Sequence, residues 1–245
     1  WIVYLAFAAF VIVGTVNAVN ITDGLDGLSS SVTVPVGLFF LVMAVIWPGF
    51  EQLGLFSGAL VGGLLGFLLY NHYPAKVFMG DTGSLAIGGI IAVFALCIRK
   101  ELLLPILCGV FFVESLSVMM QVSYFKYTKR RYGEGRRIFL MSPIHHHYQK
   151  KGIFETKIVI RFWIVSMLLS LAALVASISV TYCIAEETIN LVFFGVALYA
   201  LLSGLILIVV RTRIFSHMVG FLVIENGVFL FSMAVGVEMP SMIEI

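Results

Sequence analysis

The sequence predicts an all-α protein: a polytopic transmembrane helical bundle of about eight spans, with its active-site loops on the cytoplasmic side. Three observations carry this. Of the 245 residues 61% are hydrophobic and 11% charged, with a mean hydropathy of +1.08, whereas a soluble domain is about a quarter charged. The apolar residues fall in runs long enough to cross a hydrocarbon core about 30 Å thick, which takes about 20 helical residues. No run alternates in the manner of a barrel strand, and in lipid only helices and closed barrels satisfy the backbone.

The runs are 1–19, 32–49, 55–71, 84–98, 102–124, 158–180, 189–210 and 214–237. Counting crossings puts the segments 20–31, 72–83, 125–157 and 211–213 on one side. That side carries Lys76, Lys126, Lys129, Arg130, Arg131, Arg136, Arg137, Lys150, Lys151, Lys157, Arg211 and Arg213, and the other only Arg99 and Lys100. By the positive-inside rule the first side is cytoplasmic. A net charge of +2 is too small to indicate nucleic acid, and Cys97, Cys108 and Cys183 are scattered without zinc or disulfide spacing. The chain opens at Trp1 inside an apolar run and ends at Ile245 just after one. It is therefore expected to be a piece of something longer.

Three polar constellations lie on the predicted cytoplasmic side. In the first, Asn17, Asn20, Asp23 and Asp26 recur every third residue and on a helix would form one polar stripe at the end of a span. Carboxylates at that depth are costly and usually face a cavity, a partner or an ion. Gly24 and Gly27 leave room for a ligand or another backbone to approach. A simple self-capping helix end would need only one such residue. The second, Asn71 to Ser84, contains Pro74 and sets Asp81 between Gly80 and Gly83 just before an apolar helix. Asp81 or Ser84 could be an ordinary N-cap. The same position also suits a phosphate, with Mg²⁺ held between the carboxylate and a diphosphate.

The third is Pro143-Ile144-His145-His146-His147-Tyr148, in a stretch with ten Lys/Arg between Lys126 and Arg161. Successive helical positions turn by about 100°, so three adjacent histidines cannot share one ligand from a helix. The expectation is a loop or re-entrant piece that meets phosphate oxygens rather than zinc. Most of the surrounding basic residues are read as topology signals and anionic headgroup contacts. Together the three constellations suit Mg²⁺-assisted phosphoryl transfer at a membrane surface.

These motifs resemble the phospho-N-acetylmuramoyl-pentapeptide transferase family (MraY), through Asn17 to Leu28, Phe78 to Leu85, Pro143 to His147, Val113 to Val118 and Arg161-Phe162-Trp163. The resemblance covers residues 1–180, with Gln149 standing where many members have Glu. It implies transfer of phospho-MurNAc-pentapeptide from UDP to undecaprenyl phosphate, giving lipid I and UMP, with Mg²⁺ as cofactor. It also implies a multi-pass protein of the bacterial inner membrane, a homodimer, with its active site facing the cytoplasm. Asp81, Asp23 and His145 would be catalytic, with Asp81 the metal ligand. Asn20, Asp26, Phe78, Asn71, His146 and Gln121 would bind substrate, Phe78 by stacking on uracil, and Glu114 matches a position near the cleft. Relatives have ten spans, and their amino-terminal half carries an adjacent Asp pair that occurs nowhere here. This chain alone is therefore expected not to complete the reaction.

Residues 181–245 resemble instead the small E subunit of hydrogenase-4-type complexes, related to the NuoK subunit of respiratory complex I. There Glu225 and Glu244 would stand on a proton path, and the chain would be a fusion or chimera. The other readings of the whole chain are a proton-translocating membrane subunit built around Glu225 and an inactive membrane fragment.

Overall fold

The computed structural model describes residues 1–184, 196–197, 200–201, 204 and 214–235. All regular structure among them is helical. The elements are α1 (Ile2–Thr22), α2 (Leu28–Ile46), α3 (Glu51–Asn71), α4 (Gly80–Cys97), α5 (Leu104–Leu107), α6 (Gly109–Tyr132), α7 (Ile144–Lys150), α8 (Glu155–Ile184) and α9 (Ile214–Val235). Helices α1 to α4 and the first 25 residues of α8 are each long and apolar enough to cross a membrane. The chain divides into two compact units, Trp1–Ala173 and Leu174–Ile245.

In the first unit α2 is the central helix. It packs along α3, while α1 packs along α4 and α6. Leu28, Val32, Val36, Phe40 and Met43 of α2 have at most 1% exposure. Phe40 stacks edge-on against Phe94 of α4 with centroids 5.4 Å apart. Ser166 of α8 donates to the Val32 carbonyl at 2.9 Å. Large side chains such as Phe10, Leu55, Phe56 and Leu69 stand more than two-thirds exposed. Water would make that a liability, and lipid makes it ordinary.

Helix ends fall where the local chemistry demands. Gly27 takes φ 72° to start α2, and Gly133 takes φ 78° to end α6, left-handed values that only glycine adopts cheaply. Helix α3 stops at His72, shortly before Pro74. The tightest interhelical approach is at Gly88 of α4. A Cβ there would lie 2.6 Å from the Val16 Cα and 3.1 Å from the Thr15 carbonyl of α1.

Four expectations are corrected. The run 102–124 is not one straight span: a 3₁₀ turn and α5 end at Leu107, and α6 leaves at 80° to them. The break falls at Cys108-Gly109, and a Cβ at Gly109 would press on Leu169 of α8 at 2.8 Å. Helix α6 is also longer than expected, ending in Lys129, Arg130 and Arg131, cations that favour the negative end of the helix dipole. The histidine triplet is not in a loop but on α7. Finally, the polar stripe breaks, because α1 ends at Thr22 and Asp23 and Asp26 lie in the following turn.

In the second unit α9 matches the run 214–237. Gly227 lies against the backbone of Ala197 and Leu201, and Gly204 against the Gly220 carbonyl, the close approach typical of membrane helices. Most of the run 189–210, and Glu244, lie outside the described residues.

Replacing Gly88 with alanine should force α1 and α4 apart and cost about 2 kcal/mol, as overpacking does. Gly89→Ala, whose Cβ would meet only Val16 at 4.0 Å, should be close to neutral. Thermal unfolding of the two variants in detergent, compared with the parent chain, checks the contrast.

Candidate functional site

The site is built at one end of the first unit, where the last turn of α1 meets the first turn of α4. Asn20 spends both of its amide hydrogens across this junction, donating to Asp81 Oδ1 at 3.1 Å and to Ser84 Oγ at 2.9 Å. Ser84 is fully buried and turns its hydroxyl back to the Gly80 carbonyl at 3.2 Å. Asp81 itself is exposed in the first turn of α4, where the helix dipole favours an anion. Neither Asp81 nor Ser84 caps α4. Met79 occupies the N-cap position with no side-chain bond, so the simple capping reading does not account for them.

Asp23 follows directly after α1. Burial, and then the neighbouring Asp81 carboxylate, push its pKa above the usual aspartate range and make it a weaker acid. The junction therefore presents two carboxylates and a buried hydroxyl around one space. Among the described residues no group of three His, Cys, Asp or Glu is arranged to hold a metal. Two hard carboxylates that repel each other nevertheless fit Mg²⁺, which takes one or two protein carboxylates and completes its shell with substrate phosphates.

Asp26 is a tie rather than a free acid. Its Oδ2 accepts the Ala75 N–H at 2.9 Å, and its own N–H donates to Glu155 Oε1 at 3.1 Å. The aspartate turn is thereby fastened to the 72–79 loop and to the start of α8. Asn71 works on the same loop: it donates to the Val77 carbonyl at 2.9 Å and accepts from Ser30 at 3.0 Å, and it is almost fully buried. Next to Val77 the Phe78 ring stands 72% exposed, an aromatic face held out by an anchored backbone.

The three histidines diverge, as adjacent helical positions must. His145 is completely buried, with Nδ1 3.1 Å from Glu114 Oε2. The contact is close but not aligned as a hydrogen bond, and Nε2 and Glu114 Oε1 also lack one. The far edge of the ring packs directly on Gly24, where any Cβ would collide with Nε2. The visitor for which Gly24 leaves room is therefore this imidazole. Glu114 also accepts the Ile144 N–H at 2.9 Å, holding the first turn of α7. His146 is part-exposed with Nδ1 3.0 Å from Gln149, and His147 Nδ1 accepts the Leu140 N–H at 3.1 Å. Gln121 is consumed by the 138–139 backbone, accepting from Ile138 and Phe139 at 3.0 Å each. Asn17 donates only to its own helix at the Val13 carbonyl.

Asn20, Asp23, Asp81 and Ser84 thus come together. Asp26, Asn71, Glu114, Gln121 and His145 brace the loops around them. Sequence reasoning missed Glu155; its one signal was an acid in the first turn of an apolar helix, which also reads as dipole compensation.

Residues 1–99 match the family described as glycosyl transferase family 4. Over 189 residues the chain is 53% identical to the phospho-N-acetylmuramoyl-pentapeptide-transferase of Flavobacterium psychrophilum, covering 71% of this chain and 46% of that protein. It is 47% identical over 203 residues to the protein of the same name from Parabacteroides distasonis, covering 71% and 48%. To that from Opitutus terrae it is 52% identical over 188 residues, covering 71% and 51%. The chain spans about half the length of the curated relatives it matches.

Because folding raises the Asp23 pKa, the folded chain favours the protonated acid. Stability is therefore full at low pH and is lost as pH rises through the ordinary aspartate range towards the raised value. Asp23→Asn should raise the melting temperature at pH 7, with the gap closing as the pH falls towards 4. Melting curves across that range check it, and an equal gain at both ends would contradict it.

Proposed function

We propose that this chain carries the nucleotide-sugar side of a phospho-N-acetylmuramoyl-pentapeptide transferase, an enzyme of peptidoglycan synthesis. The observation that carries the reading is the junction of α1 and α4, where Asn20 holds Asp81 beside Asp23 at the end of two apolar spans. The similarity to the curated transferases over 71% of the chain supports it. In this reading the acceptor is undecaprenyl phosphate. Its phosphate oxygen attacks the sugar-bearing phosphorus of UDP-MurNAc-pentapeptide, the phosphoanhydride bond breaks, and UMP leaves with the bond electrons. Mg²⁺, held by Asp81 and Asp23, would neutralise the diphosphate. Asn20 fixes the direction of the Asp81 carboxylate. Phe78 offers its exposed ring to the uracil, and Asp26 and Asn71 set the height of the loop that carries it. His146 is part-exposed beside the site, while His145 acts from beneath Gly24 by holding α7.

A lipid acceptor finds support in an apolar groove of about 460 Å³ along α6 and α8, lined by Phe112, Val113, Phe162, Val165 and Leu169 and containing Arg161. The excess of Lys and Arg on this face supports a cytoplasmic orientation in the inner membrane. The second unit carries a separate reading. Glu225 stands exposed in the apolar helix α9, among Phe221, Leu222, Val228 and Phe229, and an intramembrane acid of that kind suits a proton path like that of hydrogenase-4-type subunits.

The reading is tested by grafting residues 1–180 into one of the curated relatives in place of the matching segment. UMP release from UDP-MurNAc-pentapeptide is expected from the chimera, while the 245-residue chain alone releases none. Asp81→Asn in the chimera should lower kcat at least about 10³-fold, as the loss of several kcal/mol of charge stabilisation implies. Phe78→Ala should raise the KM for the nucleotide sugar about tenfold with a smaller change in kcat. An active Asp81→Asn chimera removes the metal role from Asp81.

A further inference from the structure

Past the bilayer end of α6 the chain holds a cationic surface that phosphosugar transfer does not use. Lys126, Lys129, Arg130, Arg131, Arg136 and Arg137 are all exposed, with Glu134 the one acid among them. No ion pair joins any of these cations to a carboxylate among the described residues. Two of them are held by aromatic rings. The Arg131 guanidinium lies 5.9 Å from the Tyr127 centroid and 5.7 Å from that of Tyr132, and Arg136 lies 5.2 Å from the same Tyr132 ring. Arg131 also donates to the Tyr127 hydroxyl.

The backbone imposes this arrangement against the repulsion of like charges. Gly133 turns the chain at φ 78°. The Arg136 N–H donates to Thr128 Oγ1 at 2.8 Å, folding residues 133–137 back onto α6. Gly135 sits so close to the Phe125 ring that a Cβ would collide with it. Two guanidinia on one ring, pinned from behind, form a pre-organised fork for phosphate oxygens.

The same helix face indicates what the phosphate is attached to. Met120, Tyr124, Tyr127 and Arg131 follow one another at helical spacing and are all exposed. Their order runs apolar, aromatic, aromatic, cationic, the order of a bilayer from its core to its headgroups. A soluble phosphate would have no use for the first half of that stripe.

We propose that the last two turns of α6 and the 133–137 hairpin form a binding site for an anionic phospholipid. Arg131 and Arg136 hold its phosphate with Tyr132 between them, and its acyl chains lie along Met120 and Tyr124. The site is independent of the transferase reading, and it makes the headgroup composition of the facing leaflet a ligand of the protein.

The test uses the purified 245-residue chain in neutral detergent, titrated with dioleoyl-phosphatidylglycerol or dioleoyl-phosphatidylcholine, with bound lipid counted by native mass spectrometry. Phosphatidylglycerol is expected to be retained in preference. Arg131→Gln with Arg136→Gln should weaken it about twentyfold, near fivefold for each charge. Tyr132→Leu should weaken it several-fold, and Lys150→Gln with Lys151→Gln less than twofold. Melting temperatures confirm that each variant is folded. If the glutamine pair fails that check, Arg131→Lys with Arg136→Lys replaces it, keeping charge but losing the planar fork, and should still weaken binding more than the lysine pair does. Equal losses from both pairs would reduce the site to diffuse attraction. Equal retention of the two lipids, or displacement of phosphatidylglycerol by glycerol 3-phosphate at matched concentration, would overturn the proposal.

Discussion

The buried Glu114 carboxylate is the constraint on which the site end of the bundle depends. Taking a carboxylate out of water costs several kcal/mol unless it is paired and hydrogen-bonded. Here one oxygen takes the Ile144 N–H and lies beside the His145 ring. That single oxygen decides where α7 begins and which way its first imidazole points. The imidazole in turn fills the space beneath Gly24, and so sets the floor of the turn between Asn20 and Asp26. Two segments distant in sequence, α7 and the aspartate turn, are thus located by one desolvated group on α6. The second Glu114 oxygen has no hydrogen-bond partner among the described residues.

A second layer of ties works on the loops rather than on the helices. Asp26, Asn71 and Gln121 each accept or donate to backbone groups of a loop that has no regular structure of its own. Side chains that use their polarity on backbone satisfy buried N–H and C=O groups that no helix ladder serves. They also leave the exposed residues of those loops, Phe78 above all, rigidly displayed. The division of labour is clear in the burial. Asn71, Glu114, Gln121 and His145 are buried and Asp26 is half-buried, whereas Asp81 and Phe78 face outward.

Much of this architecture was legible from the residues. Long apolar runs with few charges can only be spans, and α1 to α4 lie within a few residues of the expected limits. The meeting of Asn20, Asp23 and Asp81 at one end of the helices agrees with the side to which counting crossings assigned them. The bend at Cys108-Gly109 was not legible, because it depends on Leu169 arriving from α8, a contact with no local signature. The helicity of the histidine triplet was misread for a related reason. Adjacent histidines cannot share a ligand from a helix, but they need not share one, and here each finds a different neighbour. Glu155 escaped notice because its acceptor role exists only once α8 is docked against the aspartate turn.

The contact between Gly88 and the backbone of Val16 gives the site a lever. Asp81 lies about two helical turns from Gly88, a reach of roughly 10 Å along α4. Steel-on-steel contact of two backbones leaves no compressible side chain at the pivot, so α4 can rock there but hardly translate. A rocking of ~5° would carry Asp81 about 0.9 Å relative to Asn20 over that arm, and displacements of about 1 Å at a reacting centre can cost a factor of about a hundred in rate. The alignment of Asp81 with Asn20 is therefore set about two turns away, at a glycine with no side chain of its own.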